Sequence, residues 1–190
     1  MALSKTDIIK KSVIVFKKRG YSATSISDIA SDCGILKGSL YHHFSSKEEL
    51  MKEVLNFLRT YFNEKVFSIA YNEQLTLKKR LERLSRKSEE HFMEGVGGCF
   101  MSLIGNECIT INSEFNEIIK GFFNDWEKAF IHLYSKFYNP KESIVKADRA
   151  IMIIEGAVLM MRIHNNTDYL TNAQNWLISE FSIISRKVYQ

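Results

Sequence analysis

The stretch that decides the fold is Thr24–Leu50, TSISDIASDCGILKGSLYHHFSSKEEL. Ser25-Ile-Ser-Asp28 has the form of a capping box, in which a hydroxyl and a carboxylate satisfy each other's backbone N–H groups. It opens a helix running through Asp32 or Cys33. Gly34 is the turn, since glycine enters left-handed backbone without a steric penalty. A short helix follows from about Lys37 to Phe44, and Ser46-Lys-Glu-Glu49 caps another. At about 100° per residue, Leu40 and Phe44 share a core-directed face. Gly38, Ser39 and His42 occupy the opposite arc, with Tyr41 and His43 at its flanks. Two short helices joined by a glycine turn, the second with a small polar outer face, are the arrangement that lays a helix in the major groove of DNA.

The residue types on that arc suit the task. Gly38 lets the backbone approach a duplex closely. Ser39 and His42 can reach base edges or phosphates, and Tyr41 can meet a phosphate or a thymine methyl. Thr24 and Ser25, at the start of the preceding helix, offer hydroxyls and free amides to phosphate. Lys37 opens the recognition helix. Lys47 enters the first turn of the next helix, where ammonium and helix dipole both attract an anion. Each has a plainer reading: Thr24, Ser25 and Ser46 as caps, Tyr41 and His43 as packing residues, the lysines as solvated. Their joint spacing favours DNA.

Working outward, the chain of 190 residues carries a net charge of +4, and the excess is local. Between Met1 and Lys47 stand eight basic and three acidic residues, a net +5. A basic module on a near-neutral body points to a polyanion at one end. With a single proline, Pro140, and no alternating β-branched runs, the expected fold is all-α. Ser4-Lys-Thr-Asp7 caps a first helix that Gly20 ends. A fourth helix carries Leu50, Val54, Phe57, Tyr61 and Phe62. A fifth carries Leu77, Leu81, Leu84 and Phe92 and is broken by Gly95, Gly97 and Gly98. The sixth runs from Cys99 to about Ile111 and the seventh from Glu114 to Tyr138. Pro140 opens an eighth reaching about Ile163, and a ninth spans about Tyr169 to Val188. The expected domains are residues 1–48 and 49–190, about nine helices in all, with the fourth helix shared between the halves.

Several classes are disfavoured. The first residues lack an apolar signal core. The longest apolar tract, Ala150–Ile163, is interrupted by Glu155 and Arg162 and falls short of the roughly 20 residues a membrane span needs. Three cysteines make no disulfide framework, so a reduced, cytoplasmic protein without membrane partners is expected. Cys99 and Cys108, nine helical residues apart, would lie about 13 Å from each other, too far to bridge. No phosphate loop, metal cluster or oriented nucleophile is present, so neither an enzyme, a cofactor nor a metal is expected.

The string Thr24-Ser25-x-x-Asp28-Ile29-Ala30, Gly34-Ile35-x-Lys37-Gly38-Ser39-Leu40-Tyr41-His42-His43-Phe44, Ser46-Lys47-Glu48-Glu49-Leu50 closely resembles the DNA-binding domain of TetR-family transcriptional repressors. The resemblance covers roughly residues 5–55. It implies a three-helix helix-turn-helix domain, a helical regulatory domain, a homodimer on a double-stranded DNA operator, and release when an effector enters the second domain. GGCFMSLIGNE (Gly97–Glu107) and IEGAVLMMRI (Ile154–Ile163) resemble a branch of that family with a Gly-Cys start to the sixth helix, some members of which sense electrophiles or oxidants through that cysteine. Here the asparagine, Asn106, sits a residue or so later than in that pattern.

The residues beyond the DNA module add expectations of their own. Cys99, after two glycines at a helix start, is placed where unpaired amides stabilise a thiolate; the alternative is a packed core cysteine. Phe100 and Trp126 belong to an aromatic set that either lines an apolar pocket or simply packs. Asn106, Glu107 and Glu155 are polar groups within apolar helices, and a buried carboxylate needs a partner. These six are the candidate effector residues, for a small apolar or electrophilic ligand. The last two helices are apolar over wide faces, including Ile151, Ile154, Val158, Trp176, Phe181 and Ile184. Two such pairs would form a four-helix dimer interface. The operator would then be an inverted repeat, with half-sites about 34 Å apart. An alternative reading is a DNA-bound interaction protein without a small ligand.

Overall fold

The computed structural model describes residues 3–93, 97–108 and 112–188, with side chains as far as residue 184. Among the described residues there are nine α-helices, one 3-10 turn and no strand. The helices are α1 Lys5–Arg19, α2 Ile26–Cys33, α3 Lys37–His43, α4 Lys47–Lys65, α5 Leu77–Met93, α6 Phe100–Cys108, α7 Ser113–Tyr134, α8 Pro140–His164 and α9 Asp168–Val188. No helix among the described residues is long and apolar enough to cross a membrane.

The helix starts follow local chemistry. Ser4 and Asp7 form a reciprocal box at α1, as do Ser25 and Asp28 at α2. Both aspartates are held below the ordinary carboxylate value, chiefly by the serine hydroxyl and then by its backbone N–H. At α4 the Ser46 hydroxyl accepts the Glu49 N–H at 3.1 Å. The Glu49 carboxylate instead accepts from the N–H and hydroxyl of Ser45, both at 2.6 Å. Asn139 and Glu142 cap α8 with Pro140 in its first turn.

One element end and one connection differ from the sequence expectation. α7 stops at Tyr134, four residues early, because the N–H groups of Phe137 and Tyr138 both turn back to the Tyr134 carbonyl. That turn frees Asn139 to cap α8. A 3-10 turn, Phe67–Tyr71, links α4 to α5 where no element was expected. The expected extension of the sixth helix to Ile111, and the break at Gly95, lie outside the described residues.

The chain divides into two compact units: residues up to 60 with 100–121, and 61–99 with 122 onward. The division falls inside α4, and α6 with the first part of α7 joins the N-terminal helices. These units differ from the sequence limits of 1–48 and 49–190, because α6 packs against α1, a proximity that chain order does not announce.

In the first unit Phe16, Ile29, Leu40, Phe44, Leu50, Val54, Ile104 and Phe115 are fully buried. In the second, Phe62, Phe67, Phe122 and Trp126 form an aromatic core with ring centroids 5.1–6.1 Å apart. Glu180 ties three helices together there. Its Oε2 accepts the Tyr134 hydroxyl at 3.0 Å and its Oε1 accepts Lys146 Nζ at 2.7 Å, while the Tyr134 and Phe181 rings stack at 4.3 Å.

Candidate nucleic-acid interface

α2 and α3 meet at Gly34, which is left-handed (φ 70°, ψ 33°) and returns its N–H to Ala30 and Ser31 carbonyls. This closes the C-terminus of α2 and turns the chain sharply into α3. Leu40 and Phe44 then anchor α3 in the core. Arg19 holds the other side of α2, 2.8 Å from Asp28 and 3.4 Å from Asp32. The pairing neutralises two acidic groups that would repel a polyanion.

What α3 leaves outward is Lys37, Gly38, Ser39, Tyr41, His42 and His43, all exposed. A side chain added at Gly38 would meet nothing within 4 Å, so the space in front of the backbone is open. Lys37 Nζ lies 5.9 Å from the centroid of the Tyr41 ring, one turn on. Leu36, unnoticed in the sequence, is 80% exposed immediately before α3. Its spacing to Leu40 suggests a core residue, but its backbone is extended (φ −69°, ψ 145°) because it caps the helix. Sequence periodicity fails at such a position.

Beside α3 lies an open hollow of ≈ 430 Å³ lined by Ser22–Ser27, Lys37, Tyr41 and Lys47. It brings together, around the first turn of α2, five of the eight residues expected to contact DNA. Two of them carry other duties. Thr24 is only 1% exposed and its hydroxyl donates to the Gly20 carbonyl at 2.6 Å. Its side chain therefore shapes the turn rather than facing a phosphate. Lys47 is half-buried: its Nζ donates to the Tyr21 carbonyl at 3.0 Å and sits 4.2 Å from the centre of the Tyr21 ring. Ser25 is exposed and caps α2.

The candidate effector residues divide between the two units. Phe100, Asn106 and Glu107 belong to the first unit, and Cys99, Trp126 and Glu155 to the second. Cys99 is buried directly before α6, after Gly97 and Gly98, both at positive φ. Phe100 is buried, Asn106 is exposed, and Glu155 is half-buried on α8. Trp126 is 1% exposed, and its indole N–H has no hydrogen-bond partner among the described residues; the Ser88 hydroxyl on α5 is likewise buried without one. The other cysteines, Cys33 and Cys108, have thiols pushed up from the ordinary value chiefly by burial, which suppresses the reactive thiolate.

Of the candidate dimer residues, Ile154, Val158 and Phe181 pack inside their own unit, Ile151 and Ile184 are half-buried, and Trp176 is exposed. The first three are thus unavailable to a partner. The outward stripe consists of Val145, Met152, Leu159 and Ile163 on α8, and Tyr169, Trp176 and Ile183 on α9. α8 carries apolar residues on its exposed side (Ile144, Met152, Leu159) as well as its buried side (Ile154, Val158, Met161), so apolar period alone does not pick the inner face.

The geometry defines a class: a helix-turn-helix module on a helical body. Residues 8–54 match the family described as "Bacterial regulatory proteins, tetR family". The chain is 46% identical over 54 residues to the HTH-type transcriptional repressor KstR2 of Mycolicibacterium smegmatis, which is 28% of this chain and 26% of that protein. The match thus spans about a quarter of that relative's length. Among solved structures, a TetR transcriptional regulator from Legionella pneumophila superposes with a TM-score of 0.86 at 20% identity, over 95% of this chain and 97% of that one. AibR, in complex with isovaleryl coenzyme A and operator DNA, gives 0.69 at 21% identity, over 93% and 96%. Residues 8–54 thus match the DNA-binding domain of the TetR family, and the fold of the chain resembles that of solved TetR regulators.

Proposed function

We propose that the chain is a transcriptional repressor that binds an inverted-repeat operator as a homodimer and is released by a small effector. The observation that carries the DNA reading is the exposed face of α3, Gly38, Ser39, Tyr41 and His42, standing beside the hollow built on the first turn of α2. Matched relatives support it: one is named a repressor, and one structural neighbour holds operator DNA together with an acyl thioester of coenzyme A.

The effector site in this reading is the aromatic core around Trp126, with the buried Cys99 thiol as the group an electrophile would modify. A buried indole N–H and a buried serine hydroxyl without partners are costly, and a ligand acceptor would satisfy them. The dimer forms through the outward stripe of α8 and α9. Gly156, with open space where its Cβ would stand, leaves room for close approach.

The test is a gel shift on the DNA upstream of the chain's own gene, at fixed salt, with and without a thiol-reactive electrophile. A specific shift in wild type, weakened about ten-fold or more in His42→Ala, is expected for a residue touching a base or phosphate. Loss of the shift with electrophile in wild type but not in Cys99→Ser would assign the sensor. A His42→Ala protein that binds as tightly as wild type would count against the recognition helix.

A further inference from the structure

The turn between α1 and α2 holds a carboxylate. Glu107 reaches from α6, where its Oε1 accepts the Tyr21 N–H at 3.2 Å and its Oε2 accepts the Ser22 N–H at 3.0 Å. Two successive backbone amides aimed at one anion form a small nest. The site is built for this occupant. Gly20 has φ +81°, and a Cβ there would stand 2.5 Å from Glu107 Oε1. The rest of the turn is held from the other sides. Lys47 takes the Tyr21 carbonyl, Glu48 Oε1 accepts the Tyr21 hydroxyl at 3.1 Å, and the Phe115 ring meets Tyr21 edge-on at 5.5 Å. Thr24 closes it by bonding Gly20. Ser22, Ala23 and Ser25, the next residues along, are walls of the hollow beside α3.

We propose that Glu107 is a positioning residue for DNA binding: its carboxylate seats the Gly20–Ser22 turn and thereby sets where the first turn of α2 stands against the operator backbone. Ser22 is at the surface, so water can replace the carboxylate at little cost to folding. The cost of losing it falls on placement. Anchoring a phosphate-binding turn within a fraction of an ångström is what a clamp of two charge-assisted hydrogen bonds achieves.

The inference rests on the repressor reading, and the experiment separates the two. Operator affinity, its salt dependence, thermal stability and amide hydrogen exchange are measured for wild type, Glu107→Ala and Glu107→Gln. Glu107→Ala is expected to bind about ten-fold more weakly, with its melting temperature within a few degrees of wild type and an unchanged salt slope, since no phosphate contact is lost. Its Tyr21 and Ser22 amides should exchange much faster than in wild type. Glu107→Gln, keeping one acceptor oxygen, should fall between. Unchanged operator affinity in Glu107→Ala would overturn the proposal, as would a loss that merely follows a drop in melting temperature. If wild type binds no upstream DNA, the repressor reading is in question. Amide exchange then decides the clamp by itself, and equal rates at Tyr21 and Ser22 in wild type and Glu107→Ala would overturn it.

Discussion

At the scale of single residues, the recognition helix separates stability from binding. Gly38 has open space in front of it, so Gly38→Ala should stabilise α3 by about 0.5–1 kcal/mol and raise the melting temperature slightly. The same methyl should weaken operator binding where the backbone lies close to DNA. A variant that is more stable and binds as well would show that no close approach occurs there. Lys47 has two attachments, the Tyr21 carbonyl and, in the proposed complex, a phosphate. Lys47→Ala should therefore weaken binding and also reduce the slope of log affinity against log salt by about 0.9. Thr24→Val should behave differently: removing a buried hydroxyl from the Gly20 carbonyl costs about 1–2 kcal/mol of stability. It would leave the salt slope as it is.

At the scale of elements, the tie among α7, α8 and α9 is polar and part-buried. Glu180→Ala leaves the Tyr134 hydroxyl buried without its acceptor and Lys146 without its anion, at about 1–3 kcal/mol. Differential scanning calorimetry should show a clear fall in melting temperature. Tyr134 is pushed well above its ordinary value of 10.0 by burial first and by Glu180 second. A folded-state pKa raised above the unfolded one gives stability that is complete below pH 10 and is lost as pH rises beyond it. Alkaline unfolding should begin above pH 10 and be shallower in Tyr134→Phe; an identical alkaline profile in that variant would exclude Tyr134 as its source. The capping boxes at Ser4–Asp7 and Ser25–Asp28 were legible because a box is a local hydrogen-bond pattern. The early end of α7 was not, since the turn at 135–138 exists to place Asn139 at the next cap.

At the scale of the whole molecule, the proposed assembly depends on the outward stripe of α8 and α9. Leu159→Glu, at an exposed apolar position of that stripe, should shift the protein from dimer to monomer in analytical ultracentrifugation while preserving its helical content. Val158→Glu, at a buried position, should instead unfold the second unit. A Leu159→Glu protein that stays dimeric would move the interface elsewhere.

The helix-turn-helix module was fixed by the sequence alone, because everything that makes it is local: two hydroxyl–carboxylate caps, one left-handed glycine, and Leu40 and Phe44 one turn apart. The all-helical class followed from composition and period for the same reason. Tertiary structure decided the rest. It alone turned Thr24 inward and carried Glu107 across some 85 residues of chain to the turn at Tyr21 and Ser22. It also chose which side of α8 faces the core. Such outcomes depend on what packs opposite a residue, and a helix with apolar residues on both its inner and outer sides, or a carboxylate in an apolar stretch, carries no local sign of its neighbour.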